Sequence, residues 1–218
     1  MPALELRSGE LRLVARHDPP LGEPLAGGLR AAVVCHPHPL FGGTLDNKVV
    51  HGLARALREH GLHVLRFNFR GAGGSEGRHD AGQGERQDAL AALDLVASLA
   101  GLDGQPGAAE GRLLMAGYSF GAFVGLSVAL DDVRVAARIA VAPPVNHYDF
   151  RAIAAAPQPL LVALARDDEL VPAALVERFI ASCASPPRVL EVPEGGHMFH
   201  GQVGALRKSV GEWLESLG

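Results

Sequence analysis

Gly117-Tyr118-Ser119-Phe120-Gly121 sets a serine between glycines two residues to either side, where the apolar run Leu113 to Ala116 gives way to a segment of helical character. A serine so placed stands at the end of a strand and the start of a helix, whose free N–H groups favour developing negative charge. Glycine is needed on both sides because the strand and helix backbones approach too closely there for side chains. Five residues alone could be a glycine-rich turn with an incidental serine. The strand before and the helix after make Ser119 a candidate nucleophile.

A hydroxyl is a weak nucleophile at neutral pH, so this chemistry requires a general base and an acid that orients it. Both occur further along. Leu160 to Ala165 reads as a buried strand, and Arg166-Asp167-Asp168-Glu169 follows it, which puts carboxylates at the same carboxyl edge of a sheet as Ser119. After one more strand, Gly195-Gly196-His197-Met198-Phe199-His200 forms a glycine-led loop able to bring a histidine back over that edge. In such a site Ser119 attacks, His197 accepts and returns the proton, and the acid fixes the imidazole tautomer and stabilises its charged form.

The elements that must position these groups alternate short apolar runs with longer segments of helical period, the signature of an α/β fold. Strands are expected at Leu4 to Arg7, Leu11 to His17, Ala31 to Cys35, His63 to Phe69, Arg112 to Ala116, Arg138 to Val141, Leu160 to Ala165 and Arg188 to Val192. Several are apolar throughout, as strands buried on both faces are. Stripes at Val49, Val50, Leu53 and Leu57, at Ala89, Leu93, Val96 and Ala100, and at Val203, Leu206, Val210 and Leu214 predict amphipathic helices. Asp46 is placed to cap the first and Gly61 to end it. Too few residues separate the first two strands for a parallel crossover, so they pair antiparallel before the parallel portion begins. The expectation is one domain over 1–218, an α/β fold with a mostly parallel central sheet of about eight strands, the second antiparallel, and helices on both faces.

With these segments in view, the chain resembles the α/β-hydrolase superfamily, and within it the small, lidless esterases similar to dienelactone hydrolase. His36-Pro37-His38-Pro39-Leu40-Phe41-Gly42-Gly43 looks like that family's oxyanion loop, and Phe67 to Ser75 like the loop after its fourth strand. Asp168-Glu169-Leu170-Val171-Pro172 is similar to its acid segment and Gly196-His197-Met198-Phe199 to its histidine loop, so that the resemblance runs from about Ala31 to His200. It implies Asp168 as the acid, with Asp167 and Glu169 as solvated neighbours, and His197 rather than His200 as the base. Ala165 departs from the glycine the family often carries before the acid. The oxyanion hole takes one backbone donor from Phe120. Pro37 and Pro39 have no N–H, and by resemblance to the loop the second donor is Leu40, with His38 as the alternative.

Composition narrows the function classes. Of the 218 residues 48% are hydrophobic and 20% charged, with a net charge of -4, which speaks against a disordered chain and against a nucleic-acid partner. Two cysteines, Cys35 and Cys183, build neither a disulfide framework nor a four-cysteine metal site, and a reducing cytoplasm is expected. Glu5, Arg7, Glu10 and Arg12 interrupt the apolar core a secretory signal would need between Met1 and Leu13. The uncharged run Leu113 to Leu130 reads as strand, elbow and buried helix, not as a membrane span.

Three other readings account for less of the sequence. His36 and His38 with His197, His200 and Asp168 suggest a zinc site, which leaves the serine elbow unexplained. Gly71-x-Gly73 lacks the third glycine of a dinucleotide loop, Glu76 standing there. A binding protein that had lost its chemistry should lack one of the three catalytic types, and all three positions are filled. The chain is therefore expected to hydrolyse a small carboxylic ester through an acyl-enzyme, with thioesters and lactones as the nearest alternatives and no metal or organic cofactor. Ala142 to Pro159 is too short for a helical cap, so a shallow cleft bordered by Leu40, Phe41, Phe120, His147 and Met198, with few apolar walls, is expected to favour short acyl groups.

Overall fold

Successive residues of the third strand alternate between two cores: Ala31, Val33 and Cys35 pack with one buried cluster, Ala32 and Val34 with the other, and all five are inaccessible to solvent. That is the behaviour of a strand covered by helices on both sides. The computed structural model describes residues 4–26, 28–103, 107 and 109–217, so Met1 to Ala3, which head the stretch tested against a secretory signal, fall outside it. Its strands are β1 (Leu4–Ser8), β2 (Leu11–Asp18), β3 (Ala31–Cys35), β4 (His63–Phe67), β5 (Leu113–Tyr118), β6 (Val135–Val141), β7 (Leu160–Ala165) and β8 (Arg188–Val192). They form one sheet in the order β1-β2-β4-β3-β5-β6-β7-β8. β2 runs antiparallel to both β1 and β4, and the remaining pairs are parallel.

The helices are α1 (Lys48–Glu59), α2 (Gln83–Leu99), α3 (Phe120–Val128), α4 (Arg151–Ala155), α5 (Ala173–Ser182) and α6 (Val203–Glu215). α1 and α6 supply Val49, Leu53, Leu57, Leu206, Val210 and Leu214 to one core. α2 to α5 supply Leu93, Val96, Val124, Ile153 and Phe179 to the other. Among the described residues no helix is long and apolar enough to cross a membrane.

Local chemistry moves several boundaries. Asp46 does not cap α1. Its carboxylate faces Arg16 and His51, each at 3.4 Å, while the Asn47 side-chain oxygen accepts the Val49 N–H at 2.8 Å. β5 continues two residues beyond Ala116 because Gly117 and Tyr118 pair with Ala140 and Val141 of β6, and β6 begins earlier than expected, at Val135. β4 stops at Phe67, where Asn68 turns its amide into the following loop, accepting from Leu45 N at 2.7 Å and donating to Gly73 O at 2.9 Å.

One buried charge ties the segment after β6 to the sheet. Arg138, 1% exposed, donates to the carbonyls of Ile153, Ala156 and Gln158 at 2.9, 2.9 and 2.8 Å. Among the described residues it has no carboxylate partner, so α4 and the turn before β7 close around a guanidinium held by peptide dipoles alone. Arg138→Met, which keeps much of the volume but strands those carbonyls, should lower the unfolding free energy by about 3 kcal/mol in urea titration. A loss under about 1 kcal/mol would mean that water replaces the guanidinium there.

Candidate active site

Between β5 and α3 the chain turns so sharply that Ser119, a residue with a Cβ, takes φ 52° and ψ -122°. The flanking glycines permit it. A Cβ on Gly117 would lie 2.2 Å from Gly121 O, and one on Gly121 would lie 2.4 Å from His36 O and 2.5 Å from Cys35 O. Helix α3 therefore starts in backbone contact with the end of β3. Its first N–H, that of Phe120, belongs to the helical turn that has no intrahelical acceptor.

His197 comes back over this edge from the loop after β8. Its Nε2 lies 2.9 Å from Ser119 Oγ and its Nδ1 lies 2.9 Å from Asp168 Oδ2, with the His197 and Asp168 side chains both nearly fully buried. The carboxylate accepts from Nδ1–H, so Nε2 is left as the acceptor of the serine hydroxyl proton. The other Asp168 oxygen accepts from the Leu170 and Val171 N–H groups at 2.9 and 2.8 Å, which fixes its orientation.

Asp167 and Glu169 are exposed, as expected of solvated neighbours, and their carboxylates also grip the histidine loop. Asp167 accepts from the Gly196 N–H at 2.8 Å and the Gly195 N–H at 3.1 Å, contacts that hold its carboxyl below the ordinary carboxylate range. Glu169 accepts from the His197 N–H at 3.0 Å. From the sheet side Tyr118 donates its hydroxyl to His197 O at 2.9 Å, and burial keeps that phenol protonated. Phe199, fully buried at φ 51°, anchors the loop below. The sequence pattern contained Tyr118 inside the elbow, but nothing in it pointed to a bond 79 residues away.

The loop after β3 departs most from expectation. Pro39–Phe41 form one 3-10 turn, and the Leu40 N–H donates to its own cap, His38 Nδ1, at 3.2 Å. The Leu40 side chain is 68% exposed and does not line the cavity at Ser119. His38 does, and its backbone N–H has no acceptor among the described residues. Its ring lies 4.9 Å from Phe120 and 4.6 Å from His79, centroid to centroid, and His79 in turn reaches the fully buried Glu85 at 2.7 Å. Burial, then the neighbouring His79, lowers the His38 pKa.

A cavity of about 730 Å3 opens beside Ser119. Phe41 and His147 line it as expected, but Met198 does not: its Sδ lies 3.4 Å from the Tyr118 hydroxyl oxygen, and it faces a separate hollow with Asp167, Glu169 and His200. The cleft is also more apolar than foreseen, since Pro144, Tyr148, Leu170 and Val171 join Phe120 in its walls. These residues come from connections, where no period announces burial. Among the described residues no group of three or more His, Cys, Asp or Glu is arranged to hold a metal ion.

Comparison with known proteins agrees with this architecture. Residues 11–164 match the family model for X-Pro dipeptidyl-peptidase (S15 family). An uncharacterized protein of Rickettsia prowazekii is 32% identical over 191 residues, covering 84% of this chain and 77% of that one. Among solved structures, an alpha-beta serine hydrolase homologue from Coxiella burnetii shares 36% identity with a TM-score of 0.86, covering 98% of this chain and 97% of its own. A serine hydrolase without lid from Xanthomonas campestris shares 33% identity at a TM-score of 0.84, covering 99% and 94%.

His36, at the head of the loop, is wholly buried, and both of its ring nitrogens are committed: Nδ1–H donates to Pro37 O at 2.6 Å and Nε2 accepts the Phe69 N–H at 2.9 Å. Burial, opposed in part by the Pro37 bond, pushes its pKa down from 6.5 to about 4. Its contribution to stability is complete above pH 6.5 and is lost as pH falls toward 4. The loss should approach about 3 kcal/mol, at 1.36 kcal/mol per pKa unit. Urea denaturation between pH 7 and 4 measures it, and the slope should flatten in His36→Gln. An equally steep slope in that variant would assign the acid sensitivity to other groups.

Proposed function

The chain belongs to the S15 family of α/β hydrolases, and from that premise we propose that it cleaves short-chain carboxylic esters through an acyl-enzyme formed on Ser119. The observation that carries this is the chain of contacts Ser119 Oγ, His197 Nε2, His197 Nδ1, Asp168 Oδ2, 2.9 Å at each link, at the mouth of an apolar cavity. Ser119 Oγ attacks the ester carbonyl as its proton passes to His197 Nε2, and Asp168 stabilises the imidazolium that results. The oxyanion is received by the Phe120 N–H and, in place of Leu40, the His38 N–H. The imidazolium then protonates the leaving alcohol. Water, deprotonated by the same nitrogen, attacks the acyl-enzyme and returns the serine with the free acid. No step calls on a metal or organic cofactor.

The peptidase activity in the family's name is a weaker fit. Releasing a dipeptide from a free amino terminus calls for an anionic group to hold the ammonium, and among the described residues no Asp or Glu lines this cavity. Esters need no such group.

Ser119→Ala should fold normally, lose several orders of magnitude of esterase turnover and no longer be labelled by a fluorophosphonate. Retention of more than roughly a tenth of wild-type turnover would overturn the serine mechanism.

Phe41 and Leu170, at 86% and 55% exposure, leave the outer cleft open to water. Each methylene gains about 0.8 kcal/mol only where a wall covers it, so kcat/KM along a series of p-nitrophenyl esters should stop rising at roughly six acyl carbons. A rise of tenfold or more continuing to long chains, or a preference for amides over esters in the same panel, would contradict the proposal.

A further inference from the structure

A second cavity, of about 810 Å3, lies where α1, α6 and the β2–β4 pair meet, and it shares no lining residue with the one at Ser119. Six cations line it: Arg16 from β2, Lys48, Arg55 and Arg58 from α1, Arg66 from β4 and Arg207 from α6. Against them stand Asp18 and Asp46 in the wall and Glu59, which Arg55 and Arg207 each reach at 2.9 Å. Six cations less three carboxylates leave +3 in one groove of a chain whose total is -4.

Two of the cations are held in place by bonds to backbone and neighbouring side chains. Arg66, 3% exposed, donates to Asp18 Oδ2 at 2.6 Å, to Leu45 O at 2.8 Å and to His51 Nε2 at 2.9 Å, and so sits rigidly in the floor. Arg58 Nε donates to Pro19 O at 2.7 Å, which fixes the side chain without neutralising it. Lys48 and Arg58 have no carboxylate partner among the described residues. Preorganised guanidinium forks match phosphoryl oxygens two at a time, with a lysine as an added point charge. The groove is concave and carries two carboxylates of its own, a poor match to the continuous backbone of a nucleic acid or to a flat lipid surface.

We propose that this groove binds a small polyanion carrying two or more phosphoryl groups. Inorganic pyrophosphate is the probe. Titration calorimetry of the 218-residue chain at low salt should show one saturable site, unchanged in Ser119→Ala. Arg58→Ala should weaken binding roughly tenfold and Lys48→Ala with Arg58→Ala further, the loss expected for charge-assisted contacts. Ester hydrolysis should be the same in these variants as in wild type, which also shows that they fold. Arg58→Lys should retain part of the affinity, and citrate should bind more weakly than pyrophosphate. Absence of saturable binding, equal affinity in the double variant, equal affinity for citrate, or binding only to phosphatidylserine vesicles would each overturn the proposal.

Discussion

Ser119 holds a backbone conformation that costs a residue with a Cβ about 1–2 kcal/mol, and the surrounding packing keeps it there. At Gly117 and Gly121 the end of β5, the start of α3 and the end of β3 come within backbone contact. That approach sets the direction of α3, aims its first N–H groups at the space above the sheet and brings the loop after β3 beside Ser119 Oγ. The cost of the strained turn is offset over whole elements. β5 is buried along its full length, and six of the nine residues of α3 are buried.

The histidine loop is positioned by a different device. Three consecutive acids after β7 each take one part of it: Asp167 the Gly195 and Gly196 amides, Asp168 the His197 ring, Glu169 the His197 amide. Tyr118 closes the set by donating to the His197 carbonyl. Both polar groups of the His197 peptide and its Nδ1 are thus engaged, which leaves Nε2 to Ser119. The two halves of the site meet through one tyrosine, since Tyr118 immediately precedes the strained serine.

Most polar groups buried elsewhere find partners, though the Arg138 Nε has none among the described residues. His36, Arg138 and Glu85 each bind backbone or a neighbouring ring, and each fixes a connection rather than a core element. His36 joins the loop after β3 to Phe69, Arg138 gathers the carbonyls around α4, and Glu85 accepts from Asp80 N and Gly82 N at 2.9 Å ahead of α2. The first two connections carry walls of the cavity at Ser119, His38 and Phe41 after β3 and Pro144, His147 and Tyr148 after β6. The apolar cleft and the arginine-lined groove are accordingly separate surfaces built on opposite electrostatic terms, one on desolvated rings and aliphatic walls, the other on fixed guanidinium groups.

Periodicity and residue type by themselves determined the α/β class, the eight strands, the antiparallel start and the glycine-flanked turn at Ser119, because burial on both faces and close backbone approach leave local marks in composition. The order of serine, acid and histidine at three strand ends was likewise legible in the chain. Tertiary structure alone decided which polar atom meets which. Asn47 and not Asp46 caps α1 because Arg16, thirty residues away in sequence, draws the Asp46 carboxylate toward itself. Leu40 turns its N–H onto His38, Met198 falls behind the histidine loop, and Tyr148 and Val171 enter the cavity wall. A hydrogen bond depends on tenths of an ångström between groups that only the packed loops bring together, and no spacing along the chain records that distance.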